Sequence, residues 1–404
     1  MTKWRKVKFG EIFDISSSKR VLQEDWKTSG VPFYRAREIV KLAKEGAVEN
    51  ELFISEELFD SFKSKYGVPK PGDLMISAVG TLGACYVVQP TDRFYYKDAS
   101  VLRFSPKQEV CSKFIQHAFR TPEILDQIHA GSGSTVGTYT INRAIATRIG
   151  LPSFPEQIRI AAILDQADAL RAKRREALAQ LDNLTQSIFI EMFGNPVTNP
   201  MGWEVKKLKE ISKSIVNGTT PKGGSQVYVS DGIVFFRSQN VWKNSLLLDD
   251  VAYIDNETHF KMRKSSLQNK DILITKTGRI NTENSSLGRA AIFIGKDNSA
   301  NINGHVYRIR LEKGSIHEFV LYILTTDEYR EYIRSVCVGG IDKRQINKEH
   351  LEEFPIIFPP VGLQHRFATL VESIEKQKGF YRSQLAELDN LFTSIQHRAF
   401  RGEL

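Results

Sequence analysis

Residues 181–188 read LDNLTQSI, and residues 388–395, 207 positions later, read LDNLFTSI. Six of the eight letters are identical, and in both copies the leucines and the isoleucine fall on one face of a helix. A repeat of this period decides the architecture before any single residue does. The chain reads as one unit of about 200 residues used twice, in the order globule, helix, globule, helix.

Working outward, the repeat continues through the globules with small insertions. Trp4-Arg5-Lys6-Val7-Lys8 is echoed by Trp203-Glu204-Val205-Lys206-Lys207. GVPFYRAREI (30–39) answers GIVFFRSQNV (232–241), and PGDLMISAVG (71–80) answers NKDILITKTG (269–278). Short β-rich runs bounded by Gly or Pro dominate each globule. Helical stretches follow at 111–128 and 315–335, and then glycine-rich loops, GSGSTVGTYTIN and VGGIDKRQIN. The expected fold is α+β: two similar domains, 1–151 and 200–355, joined by two long helical segments, 152–199 and 356–404.

The long helices carry a 3-4 ladder: Ile160, Ile163, Ala167, Leu170, Ala177, Leu181, Leu184 and Ile188. Adding 207 gives Phe367, Leu370, Ile374, Gln377, Gln384, Leu388, Leu391 and Ile395, a coiled-coil seam interrupted at Arg174 and Gln377. A helix of about 34 residues is about 50 Å long, whereas a domain of this size is roughly 40 Å across. The second domain hangs between the end of one helix and the start of the other. An antiparallel pair, giving a pseudo-twofold dumbbell, satisfies that constraint without stretching the domain.

Composition narrows the class. The 404 residues are 41% hydrophobic and 25% charged, as in ordinary globular proteins. Cys85, Cys111 and Cys337 form no Cys-x-x-Cys pair, so neither a disulfide framework nor a zinc site is expected and a reducing cytoplasm fits. The N-terminus lacks the apolar core of a signal peptide, and no run of 18 apolar residues occurs. Net charge is +9, and its placement is informative. Residues 1–151 hold 22 Lys/Arg against 17 Asp/Glu and residues 200–355 hold 23 against 19, while the helical segments are nearly neutral. Basic globules suit a polyanion, and neutral helices suit each other or a protein partner.

Catalytic motifs are missing. There is no Gly-rich phosphate loop ending in Lys-Ser/Thr, no nucleophile elbow and no His-x-x-x-His pair. Asn195-Pro196 lacks the proline and aromatic residue of an amino-methyltransferase motif. Asp271 and Lys276 suggest a nuclease cluster, but the first copy has Asp73 with no matching lysine.

Polar, basic and aromatic loops recur instead at equivalent places. Lys19 and Arg20 follow a serine run, and Lys222 lies in the small-residue loop 217–225, where backbone could approach phosphates. Arg35 and Arg37 end a β-rich segment, as do Arg237, Gln239 and Asn240; Arg suits guanine, and Gln or Asn suits adenine. Tyr139 closes the first glycine loop, and Lys343 and Arg344 lie in the second. Lys276 and Arg279 extend the strand DILITKTG. These thirteen residues are the candidate DNA contacts. The residue types differ between copies, as two domains reading different sequences require.

The stretches EMFGNPVTNPMGWEVKKL (191–208) and HRAFRGEL (397–404) resemble type I restriction–modification specificity subunits. So do INRAIATRIGLPSFPEQIRIAAIL (141–164) and INKEHLEEFPIIFPPVGLQHRFATLV (346–371). With the repeat, the resemblance covers essentially the whole chain. It implies two target-recognition domains, each reading one half of a split double-stranded DNA sequence, held apart by the helix pair. The pair, through Ile163, Leu170, Leu181, Leu184, Ile188, Leu370, Ile374, Leu388, Leu391 and Ile395, is expected to form the seam and dock two adenine-methylating subunits, which restriction subunits join. Catalysis, with S-adenosylmethionine and, for restriction, ATP and Mg, would belong to those partners; this chain would bind no cofactor or metal.

Two departures limit the carry-over. The family's loop before the first helix often reads Gly-x-Thr-Gln where this chain has Gly133-Ser134-Thr135-Val136-Gly137. A Glu-Gln pair is usual where it has Gly362-Leu363-Gln364. The alternatives are a stand-alone DNA-modifying enzyme with an unrecognised site and an adaptor that no longer reads DNA.

Overall fold

The computed structural model describes residues 4–130, 137–279, 285–340 and 343–404. The chain forms two compact units, residues 1–175 with 383–404, and residues 176–382. Both boundaries fall inside long helices. Helix α1 (Phe154–Phe193) and helix α2 (Val361–Phe400) each have 40 residues, so each contributes one half to either unit. At 1.5 Å per residue each is about 60 Å long, somewhat more than the sequence suggested.

The units repeat one topology. In the first, a four-stranded antiparallel sheet runs Phe13–Ser16, Val101–Pro106, Leu74–Ser77, Cys85–Val87. In the second the order is Ser212–Asn217, Val306–Leu311, Ile272–Thr275, Ala290–Ile292. The strands Leu74–Ser77 and Ile272–Thr275 are buried at every position, which explains why they read as continuous apolar runs rather than alternating ones. A three-stranded sheet follows in each unit. Val31–Tyr34 pairs antiparallel with Phe53–Ile54 and parallel with Tyr95–Tyr96. Ile233–Phe236 does the same with Ala252–Ile254 and Ala300–Ile302. A two-stranded ribbon ties each unit's beginning to its end, Arg5–Lys8 with Arg148–Leu151 and Val205–Lys207 with Pro355–Ile357.

Each helical stretch expected from sequence is two helices. They are Ser112–Ala118 and Pro122–His129 in one unit, His317–Thr325 and Asp327–Val336 in the other. The break falls at equivalent threonines. Thr326 Oγ1 accepts the Tyr329 amide, a helix N-cap, and Pro122 occupies the first turn after Thr121.

Within each unit the helix halves run antiparallel. Asp182 meets Lys378 and Phe189 meets Phe367 in the second unit, while Arg159 meets Leu404 and Arg171 meets Asp389 in the first. The inward stripe is not the one the apolar ladder marked. Ile160, Leu164, Phe189, Phe193, Phe367, Val371, Phe392 and Ala399 are buried. Leu170, Leu184, Leu370 and Leu391 are 38–52% exposed, and Ile163 is only half-buried. Leu181, Ile188, Ile374, Leu388 and Ile395 are half-buried along the pair. Half the heptad positions were therefore set one residue early. The true stripe passes through Arg171, Thr185 and Lys378, polar residues that an apolar count skips, and Gln377 lies off it, exposed.

Helix α1 stops at a built turn. Gly194, at φ 74°, donates its amide to the Ile190 carbonyl, and a Cβ there would fall 2.9 Å from Pro200 Cγ. Asn195 Oδ1 accepts the Val197 and Thr198 amides, and Trp203 Nε1 donates to the Phe193 carbonyl. The motif GNPVTNPMGW is thus the turn that ties the helix end to the strands that follow it in the second unit.

Candidate nucleic-acid interface

In the second unit four stretches distant in sequence converge. The short strand Thr277–Gly278 pairs with Arg344–Gln345, which pairs with Val338–Gly339. Gly278 is required there because a Cβ would lie 2.3 Å from the Leu287 amide nitrogen. Beside this ribbon opens a cleft of about 510 Å³ lined by Ser238, Thr277, Arg279, Ser286, His305 and Lys343, among others. Arg279, His305 and Lys343 are exposed on it. Sequence reasoning missed Ser238, Ser286 and His305. His305 follows the strand Ala300–Ile302, whose pairing with Ile233–Phe236, continued by the Asn303 amide on the Phe236 carbonyl, brings it to Ser238.

The arginines that end the β-rich segments are held, not loose. Arg35 donates its amide and its guanidinium to Glu38, at 2.8 Å in both cases, and Arg37 pairs with Glu38 and Glu51. Burial alone would push the Glu38 carboxyl up, but hydrogen bonds from Arg35 and Arg37 outweigh it and hold the carboxyl below its ordinary range. Arg237, 202 residues on, pairs with Asp250 at 3.0 Å and donates to the Asp250 carbonyl at 2.7 Å; Gln239 also donates to Asp250. Such locks fix a guanidinium for bidentate contact while cancelling its long-range charge.

Two candidates are corrected. Tyr139 is fully buried, its hydroxyl 2.8 Å from Thr147 Oγ1 and its amide donating to the Ala78 carbonyl. It belongs to the core because the chain pairs there with the end of the central strand. Asn240 is 1% exposed; its Oδ1 accepts the Arg237 amide and its Nδ2 donates to the Leu247 and Asp250 carbonyls. Both are consumed by the fold and present no edge to a base.

Among the rest, Lys19, Arg20, Lys222 and Gln239 are exposed, and Lys276 and Arg344 are half-buried. The Lys19 ammonium lies 5.8 Å from the Tyr66 ring centre and its amide donates to Tyr95 Oη. Lys276 lies 5.6 Å from the Tyr307 ring centre, and Arg344 donates to the Arg334 carbonyl. The small residues before Lys222 serve packing: a Cβ on Gly218 would lie 2.1 Å from the Asn303 carbonyl oxygen. Residues 131–136 and 341–342 of the two glycine loops lie outside the described residues, as does most of the departure at 133–137. Among the described residues no three His, Cys, Asp or Glu side chains converge as metal ligands, and no helix is long and apolar enough to cross a membrane.

Comparison with known proteins agrees with this twofold construction. The family described as "Type I restriction modification DNA specificity domain" matches residues 1–181 and again residues 200–389. A putative type I restriction enzyme specificity subunit of Haemophilus influenzae is 28% identical over 43% of this chain, a match that spans 42% of that protein. The EcoBI specificity subunit of Escherichia coli is 22% identical over 99% of this chain and 86% of its own length. Among solved structures, the S subunit of a type I restriction-modification system from M. genitalium superposes with a TM-score of 0.56 at 15% identity, covering 98% of this chain and 96% of that one. A chain from a structure of type I system assembly and conformational transition gives 0.55 at 19%, covering 100% and 99%. These structural likenesses concern the fold. The family match covers both halves, and the chain belongs to the type I restriction–modification DNA specificity family, with the family's domain present twice.

Proposed function

We propose that this chain reads a split DNA sequence, one half with each unit, and carries no catalytic activity of its own. One observation carries the reading: the same strand order is built twice while the loops around it differ, Arg35 with Glu38 and Glu51 in one copy, Arg237 and Gln239 with Asp250 in the other. A constant frame with unlike loops is what two independent readers require. In the second unit the Arg279, His305 and Lys343 cleft meets the DNA, with Arg237 and Gln239 beside it.

The helices act as spacer and docking surface. Leu170, Leu388 and Leu391 line an apolar groove with Lys173, Arg174, Gln384 and Glu387, and Leu184 and Phe380 are exposed in the other unit. Apolar side chains left in water on a neutral helix suit a protein partner. Two methyltransferase subunits, carrying S-adenosylmethionine, dock there in the cytoplasm, and restriction subunits with ATP and Mg join that core.

Replacing residues 200–355 by the corresponding domain of another family member tests this. Mapping of methylated adenines in cells is expected to show one half-site changed and the other kept; a change in both rejects independent readers. Methyl transfer from labelled S-adenosylmethionine to DNA by the purified chain alone would reject the non-catalytic reading.

A further inference from the structure

The two long helices start and end at positions 207 apart, and every residue of one has a counterpart in the other. Two such helices pose a pairing problem. Helix α1 of one chain could meet α1 of a second copy, and α2 could meet α2, with the same backbone register as the pairing within one chain. From the side chains at two equivalent positions, we infer that the chain carries a selectivity code which admits α1 against α2 and rejects each helix against its own copy.

The first position is Thr185 in α1 and Phe392 in α2. In the second unit Thr185 is 1% exposed, its hydroxyl donates to the Leu181 carbonyl, and it lies beside the buried Tyr322, whose ring packs 5.3 Å from Phe367. In the first unit Phe392 faces His117, the counterpart of Tyr322 on the matching helix, at 6.3 Å. A small residue thus meets the large Tyr322, and a large one meets the smaller His117. The second position is Phe189 in α1 and Gln396 in α2. Phe189 is fully buried among Phe193, Phe319 and Phe367 at 5.2–5.8 Å. Gln396 instead donates to the His117 carbonyl.

Like-with-like pairing reverses both fits. Against a second α2, Phe392 of the copy would be driven onto Tyr322, and Gln396 would enter the aromatic cluster of Phe319 and Phe367. Overpacking and a buried amide without a partner are both destabilising. Against a second α1, Thr185 of the copy would leave a void at His117, and Phe189 would leave the His117 carbonyl without its donor. The Asp at position 182 or 389 is the same in both helices and cannot discriminate. The discrimination is therefore assigned to Thr185/Phe392 and Phe189/Gln396, read by His117 and Tyr322 and, beside Phe189, by Phe367, whose counterpart 207 residues earlier is the smaller Ile160.

The test exchanges the code in the full chain. The four-residue variant Thr185→Phe, Phe189→Gln, Phe392→Thr and Gln396→Phe makes the pairing within one chain the mismatched one. By light scattering it is expected to shift from the 45.9 kDa of one chain to the mass of two or more, or to lose about 5 °C or more in Tm. A second variant adds His117→Tyr, Tyr322→His, Ile160→Phe and Phe367→Ile, moving the readers with the code. It is expected to regain both the one-chain mass and most of the lost Tm. A four-residue variant that stays monomeric with unchanged Tm overturns the inference. So does an eight-residue variant that recovers neither mass nor Tm, since the residues would then only fill space.

Discussion

The Lys378 ammonium lies 2.6 Å from the Asp182 carboxylate, although Lys378 is only 4% exposed. Its counterpart 207 residues earlier, Arg171, makes the matching contact to Asp389 at 2.5 Å. Each cation also takes a carboxylate one turn back on its own helix, Glu375 for Lys378 and Asp168 for Arg171. The two copies of this clamp differ in their surroundings: the Arg171 guanidinium also lies 4.4 Å from the centre of the Phe392 ring, and Asp389 takes Arg175 as well.

Arg171→Ala and Lys378→Met are therefore expected to differ. Arg171→Ala removes the ion pair, the stacking and the packing of the stem, and should cost about 1–3 kcal/mol. Lys378→Met keeps the volume, and the partners Asp182 and Glu375 are open enough to return to water. Replacing a buried cation by an apolar isostere is often near neutral, so a loss below about 1 kcal/mol is expected. Urea unfolding of both variants decides; equal losses would refute the distinction.

Stability should fall in mild acid. His117 is buried, and burial lowers its pKa below the ordinary 6.5, against the opposing effect of the Asp165 carboxylate 2.8 Å from its Nε2. Above 6.5 the ring is neutral in both folded and unfolded chains. As pH drops below 6.5 the unfolded chain binds a proton that the folded one resists, so stability declines until the folded ring itself titrates. His259 and His317 are lowered by burial in the same direction. His117→Gln is expected to flatten the fall in Tm between pH 7.5 and 5.5; an unchanged slope would remove His117 from the account.

Tyr139→Phe separates core from interface. It deletes the hydroxyl contact with Thr147, at a cost of about 0.5–1.5 kcal/mol, and leaves the DNA recognition pattern of the assembled complex as it was. An altered methylation pattern would return Tyr139 to the recognition surface.

Lys343→Ala and Arg237→Ala should divide along the line between charge and base reading. Lys343 is an exposed point charge on the cleft rim. Its loss is expected to weaken binding for all sequences alike and to reduce the salt slope by about one. Arg237 is aimed by Asp250, so its loss should relax one base position at about 1–3 kcal/mol of discrimination. Competition binding with single-base variants at two salt concentrations reads both effects.

Leu391→Glu places a charge where Leu391 is 52% exposed, so the isolated chain should change by less than about 0.5 kcal/mol. Loss of methyltransferase-subunit binding with an unchanged Tm is the expected result. Leu388→Glu, half-buried between the helices, should lower both.

The repeat, the α+β class and the antiparallel helices were legible because they rest on long patterns that many residues share. The stripe was half misread because Arg171, Thr185 and Lys378 occupy inward positions, and an apolar count has no symbol for a buried cation. Tyr139 and Asn240 were taken for readers because their types suit bases, and burial is a property of the folded neighbourhood. The cleft escaped for a similar reason: His305 and Ser238 lie 67 positions apart and are brought together by a parallel strand pairing. Loop chemistry is local, but a recognition surface is assembled by topology.

The first unit is built from residues 1–175 and 383–404, with the whole second unit between them in the chain. During synthesis its last piece is therefore made only after all of the second unit. At roughly 5–20 residues per second the ribosome needs about 10–40 s to pass from residue 175 to residue 383. Through that interval Ile160 and Leu164 have no α2 to cover them. A nascent chain that has not yet reached Phe392 displays that helix face to chaperones and proteases for as long as the second unit is being made.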